Sequence, residues 1–264
     1  MHIDLTGRTA IVTGSTAGIG LAIASGLAAT GAHVVVTGRT QARVDEAMAT
    51  VTAAVAGARL SGVAADLGAL EGAQQLIAQV PEADILVNNL GIFEPKAFFD
   101  IPDSDWLRFF EVNVLSGVRL SRHYAQGMAK RGWGRIQFVS SESGVQIPAE
   151  MVHYGMSKTA QLAVSRGLAE TLAGTGVTVN AILPGPTRSE GVNEFFGKIA
   201  TEQGVTQAEV ERDFIQTHRP TSLIKRLATV EEVANLSVYL ASEQASATTG
   251  AAMRVDGGVV RSVV

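Results

Sequence analysis

Cysteine is absent from all 264 residues, which excludes disulfides, thiolate zinc sites and a cysteine nucleophile. No run approaches the ~18 apolar residues of a membrane span, and the N-terminal stretch lacks the basic-then-apolar order of an export signal. Positive charge is not in surplus either. Lys and Arg number 21 against 25 Asp and Glu, a net charge of −4 with the basic residues scattered, so a nucleic-acid surface has no electrostatic basis. Five dispersed histidines show no metal-ligand spacing, and no metal site is expected. Proline/serine-rich linkers, charge blocks and repeats are missing as well. The expectation is one cytoplasmic domain over residues 1–264, with neither a membrane nor a nucleic acid as partner.

What is abundant is glycine, 28 residues, in a chain that is 46% hydrophobic. That mixture suits buried strands joined to helices by tight turns. Strands are predicted at 8–13, 33–37, 59–64, 84–88, 135–140, 177–182 and 251–255. Several are continuous apolar runs, such as Val34-Val35-Val36 and Ile85-Leu86-Val87, which implies burial on both faces. Helical periodicity lies between them: Leu107, Phe110, Val114 and Val118 share one face, and Val233, Leu236 and Leu240 another. Thr229 and Glu232 form a capping box at the start of the latter helix. Such β-α alternation predicts an α/β fold, a Rossmann-type doubly wound parallel sheet of about seven strands with helices on both faces.

Ligands of such sheets bind beyond the carboxyl ends of the strands. The first of those ends is a glycine loop, Thr13-Gly14-Ser15-Thr16-Ala17-Gly18-Ile19-Gly20, followed by a helical set, Leu21, Ile23 and Leu27. Glycines there let backbone approach a pyrophosphate at a helix N-terminus. An ordinary tight turn with close helix-strand packing would use the same residues. The spacing differs from a P-loop, which ends in Gly-Lys-Ser/Thr. Other strand ends carry Gly38-Arg39, Asp66-Leu67, Asn88-Asn89-Leu90-Gly91, Ser140-Ser141 and Pro184-Gly185-Pro186-Thr187. Each alone is turn chemistry, but together they line a crevice of cofactor size.

Tyr154 and Lys158 lie four apart within a stretch predicted to be helical over 152–173, so both project from one face. An ammonium beside a phenol favours the phenolate and is expected to lower the tyrosine pKa, giving an acid/base usable near neutrality. Ser141 lies thirteen residues upstream of Tyr154. His153 faces another way on the helix and receives no role.

These motifs, taken in order, resemble those of the short-chain dehydrogenase/reductase family in its single-domain form. The similarity runs almost end to end, through Thr13-Gly14-x-x-x-Gly18-Ile19-Gly20, Asp66, Asn88-Asn89-x-Gly91, Asn113, Ser141, Tyr154-x-x-x-Lys158, Pro184-Gly185, the segment 226–234 and Asp256-Gly257-Gly258. The resemblance implies an NAD(P)-dependent oxidoreductase that moves a hydride between nicotinamide C4 and a carbonyl or secondary alcohol carbon. Tyr154 would be the general acid/base, Ser141 would hydrogen-bond the reacting oxygen, and Lys158 would lower the tyrosine pKa and hold the nicotinamide ribose. Asn113 would interrupt a long helix and position a water that relays protons.

For the cofactor, the resemblance implicates Gly14, Ser15, Thr16, Gly18, Ile19 and Gly20 of the loop, with Asp66 and Asn89 near the adenine, and Leu67 and Thr187. Where NAD-using relatives carry an acidic residue after the second strand, this chain has Gly38 followed by Arg39. A guanidinium there can pair with a 2′-phosphate, so NADP(H) is expected over NAD. Leu90 stands where the family has alanine and is expected to narrow the nicotinamide pocket or displace the next loop. Residues 186–225, with Phe195, Phe196, Ile199, Phe214 and Ile215, are expected to form two amphipathic helices as a substrate lid. Glu142 and Arg188 are candidate contacts to a polar substrate or ordinary exposed charges, and Phe93, Phe98 and Val145 could receive an apolar body. The family also implies a homotetramer. A nucleotide-binding regulator without catalysis is the alternative, opposed by the intact Ser141, Tyr154 and Lys158.

Overall fold

The β-branched and aliphatic runs form strands because their side chains fill both sides of a pleated sheet. In the computed structural model, which describes residues 2–263, seven strands make one parallel sheet. Met1 and Val264, the two ends of the expected domain, lie outside the described residues. The strands are β1 (Thr9–Val12), β2 (His33–Gly38), β3 (Arg59–Ala64), β4 (Ile85–Asn88), β5 (Gly134–Val139), β6 (Val177–Pro184) and β7 (Ala252–Val255). Their spatial order is β3-β2-β1-β4-β5-β6-β7, so the order reverses between β1 and β4. At such a reversal the loops leaving adjacent strands part in opposite directions and open a crevice.

Nine helices cross between strands in the described residues: α1 (Gly18–Ala29), α2 (Gln41–Ala54), α3 (Leu70–Gln79), α4 (Asp103–Phe110), α5 (Ser116–Arg131), α6 (Val152–Thr171), α7 (Glu190–Gln203), α8 (Gln207–His218) and α9 (Val230–Leu240). Alternate residues of one strand feed two cores, as the period-2 geometry requires. Ile11 of β1 joins Leu76 of α3, Leu120 and Met128 of α5 and Phe138 on one face. Its neighbours Ala10 and Val12 join Ile23 and Leu27 of α1 and Ala234 of α9 on the other.

Two local features bear on the site. The capping box at α9 is present, with Thr229 and Glu232 each accepting from the other's backbone N–H. Between α4 and α5 the helix widens into one π turn over Glu111–Leu115, with Asn113 at its middle. The expected interruption of a long helix therefore takes the form of an inserted residue, with the axis continuing on either side. Among the described residues no helix is long and apolar enough to cross a membrane.

Candidate active site

The glycine loop follows β1 directly, at the sheet's carboxyl rim. Gly14 and Gly18 have φ of +62° and +54°, and a Cβ on Gly20 would stand 2.3 Å from the Gly14 carbonyl oxygen. Asn89, after β4, locks this turn by donating its amide to the carbonyls of Thr13 (2.9 Å) and Gly14 (3.1 Å). Helix α1 then begins with no side-chain cap and no acidic residue in its first turn. Its positive end is therefore left for an anion, and the arrangement fits a dinucleotide pyrophosphate. Ser15 is different. Its hydroxyl donates to Val12 O and accepts from Thr37 N, tying β1 to β2 inside the protein, and its side chain is fully buried.

Gly38 ends β2 against Thr16: a Cβ at that position would meet Thr16 Cγ2 at 2.4 Å. Arg39 and Asp66 are exposed at the same rim, the latter accepting from Gly68 N of its own turn. Leu67 turns inward and joins the core on one face of the sheet. Leu90 behaves likewise, packing on that core beside Gly14 instead of narrowing the cavity as expected. Thr187 is buried and donates to Gly185 O after β6.

Ser141, Tyr154 and Lys158 line one cavity of about 560 Å³, which also takes in Ile19, Asn89 and Thr187. Tyr154 and Lys158 come from the first turns of α6, with Lys158 Nζ 5.6 Å from the tyrosine ring centre and donating to Val139 O at 2.9 Å. Asn113 is fully buried behind them. Its side chain accepts from Ile92 N (2.8 Å) and donates to Ile92 O and Ser157 Oγ, while its carbonyl accepts from Gln161 Nε2 (2.7 Å). The residue thus braces the segment after β4 against α6.

The electrostatics correct a second expectation. Burial raises the Tyr154 pKa above its ordinary 10, and the Glu142 carboxylate pushes it the same way; a hydrogen bond with Ser141 and the Arg219 charge act in opposition. The expected lowering by Lys158 does not occur, because Lys158 is itself buried and its pKa is pulled down to about 7. At neutral pH Tyr154 is a protonated acid.

Glu142, expected as either a substrate contact or an exposed charge, is only 4% exposed and lines the cavity. It occupies the one-turn 3-10 segment Glu142–Gly144, which folds its carboxylate back on Ser141. Ser141 Oγ donates to Glu142 Oε2 at 2.5 Å and accepts from Ser143 N at 3.1 Å. Arg219, just past α8, donates from Nε to Glu142 Oε1 (2.9 Å) and from Nη1 to Glu150 Oε1 (3.3 Å). Sequence reasoning missed Arg219 and Glu150, since nothing local marks an arginine that pairs across 77 positions.

Helices α7 and α8 form where two amphipathic helices were expected, and pack through Phe196, Ala200, Val210 and Ile215 into a cluster of their own with Leu227. Phe195, Phe196, Ile199 and Phe214 face the cavity, as does Phe93, whereas Phe98 and Val145 are exposed outside it. Arg188 pairs with Glu211 and does not line the cavity. Among the described residues no group of acidic, histidine or cysteine side chains could hold a metal.

With this geometry in place, the comparisons are specific. Residues 14–260 match the family model described as enoyl-(acyl carrier protein) reductase. The chain is 49% identical over 263 residues, 100% of both chains, to the uncharacterized oxidoreductase YvaG of Bacillus subtilis. It is 34% identical to a D-beta-hydroxybutyrate dehydrogenase of Cupriavidus necator, covering 97% of this chain and 99% of that one. In structure it is similar to L-sorbose reductase from Gluconobacter frateurii complexed with NADPH and L-sorbose, with a TM-score of 0.93, 32% identity and 100% of both chains covered.

Proposed function

The chain belongs to the short-chain dehydrogenase/reductase family of oxidoreductases, and on that premise we propose that it is an NADP(H)-preferring carbonyl reductase. One observation carries the reading: Ser141, Tyr154 and Lys158 share a single cavity with the glycine loop's Ile19 and with Asn89. The bare N-terminus of α1 and the glycine-only contact at Gly20 support a cradle for the cofactor's pyrophosphate. Arg39 beside Gly38 supports recognition of a 2′-phosphate, as does the NADPH bound in the sorbose reductase. When bound, the nicotinamide supplies the redox equivalents.

The residues of the chain do the rest. Tyr154, kept protonated by burial and Glu142, donates the phenolic proton to the carbonyl oxygen, which suits the reduction direction. Ser141 positions that oxygen once its hydroxyl rotates away from Glu142 Oε2 to donate into the cavity. Lys158, buried between Val139 O and the tyrosine, holds the cofactor side and restores charge balance as the phenol gives up its proton. Asn113 keeps α6 and the segment after β4 in register. Helices α7 and α8 cover the substrate and exclude water. Exposed apolar side chains at Phe99 and Leu107, on and before α4, support assembly through the α4–α5 face into a homotetramer.

Absorbance of reduced cofactor against a panel of ketones tests the reading. Tyr154→Phe is expected to lower kcat roughly 10²- to 10⁴-fold while nucleotide binding persists. Undiminished turnover in that variant would remove the tyrosine from the chemistry.

A further inference from the structure

Carboxylates outnumber the Lys and Arg side chains in the cavity wall, with Glu142, Glu150 and Asp213 set against Lys158 and Arg219. Glu142 lines the same cavity as Tyr154 and is bonded to Ser141, and its burial is tolerated because Arg219 and Ser141 hold its two oxygens. The same guanidinium is divided with Glu150, and His218 Nδ1 also leans toward Glu150 at 3.9 Å. One arginine thus faces two carboxylates. Asp213 adds a third at the cavity wall, its only ion pair among the described residues being a loose exposed contact of 3.8 Å with Arg212. Lys158, the remaining basic group, donates to Val139 O and is assigned to the cofactor side. The rest of the wall is apolar, with Phe93, Met151, Phe195, Phe196, Ile199 and Phe214.

A carboxylate or phosphate on the substrate needs a cation whose charge is not already balanced by carboxylates of the protein. Here an anion beside the reacting carbon would instead stand against Glu142 in a site of low polarity, where like charges repel strongly. We propose that the substrate is uncharged around its reacting carbon: a neutral ketone, or the matching secondary alcohol, with no acid group beside it. This rests on the oxidoreductase reading of the same cavity and deepens it to a substrate class.

The test uses ketones that differ only in charge: acetoacetate with methyl acetoacetate, levulinate with methyl levulinate, and pyruvate with methyl pyruvate. Each is assayed for NADPH oxidation, and each is titrated calorimetrically into the cofactor-loaded protein. The ester is expected to exceed its acid at least about 100-fold in kcat/KM or in affinity, the scale that like-charge juxtaposition sets. Acids reduced or bound as well as their esters would overturn the proposal while leaving the oxidoreductase reading standing. Esters that bind selectively and are never reduced would instead count against that reading alone. Glu142→Gln is expected to cut the discrimination about tenfold or more, since it removes the repelling charge and leaves Arg219 partly unpaired. An unchanged ratio in that variant would overturn the assignment to Glu142.

Discussion

Ser141 gives its hydroxyl proton to the carboxylate of Glu142, its neighbour in sequence, while Arg219 from the far end of α8 grips the other oxygen of that carboxylate. The serine's hydroxyl is therefore held on a carboxylate that Arg219 also anchors. Arg219→Met is expected to leave a buried, uncompensated carboxylate and to cost about 3–5 kcal/mol in urea unfolding. Glu142→Leu/Arg219→Met should recover most of that loss, since a buried pair is replaced by apolar groups. Equal destabilisation of single and double variants would show that the two side chains are not coupled.

Cofactor choice can be tested on β2. Arg39→Ala is expected to lower NADPH affinity about 10- to 100-fold, the equivalent of one charge-assisted hydrogen bond, with NADH affinity unchanged. Gly38→Asp alone should fail to give an NADH enzyme, because its Cβ meets Thr16 Cγ2 at 2.4 Å. Overpacking of that kind costs about 1–3 kcal/mol. Adding Thr16→Ala relieves the contact, and the pair should shift kcat/KM toward NADH. A clean switch by Gly38→Asp by itself would mean that the loop yields.

His153 supplies the pH dependence. Its ring is fully buried between Phe109 (4.1 Å) and Trp106 (6.0 Å), with neither nitrogen hydrogen-bonded. Burial lowers its pKa from the ordinary 6.5, against a smaller opposing pull from Asp105. The unfolded chain then takes up a proton that the folded one resists. Stability is full above pH 6.5 and declines as pH falls below it. His153→Phe should flatten that decline in thermal melts taken from about pH 8 to 5. An identical slope in the variant would assign the acid lability to other groups.

Much of the sheet was readable because its signals are local. Continuous apolar runs such as Val34-Val35-Val36 placed strands to within about two residues, and Thr229 with Glu232 announced α9. The loops at the rim followed from strand order alone. What was hidden depends on contacts between distant segments. Glu142 reads as a loop charge until Arg219 is brought to it, and Leu90 reads as an obstruction until the core is seen to accept it. The tyrosine pKa was misjudged for a related reason. Spacing four apart on a helix specifies proximity to Lys158 but says nothing of the desolvation both groups undergo.

The apolar cluster that α7 and α8 keep to themselves divides the molecule into a conserving part and an adaptable one. Side chains such as Phe195 and Ile199 can be exchanged, or the whole helical pair grafted from a cousin, without disturbing the strands that carry the proton donor. New selectivity is thus open to this architecture by replacing its roof, with Arg219 on Glu142 and Glu190 on Arg43 as ionic ties that any transplant must retain.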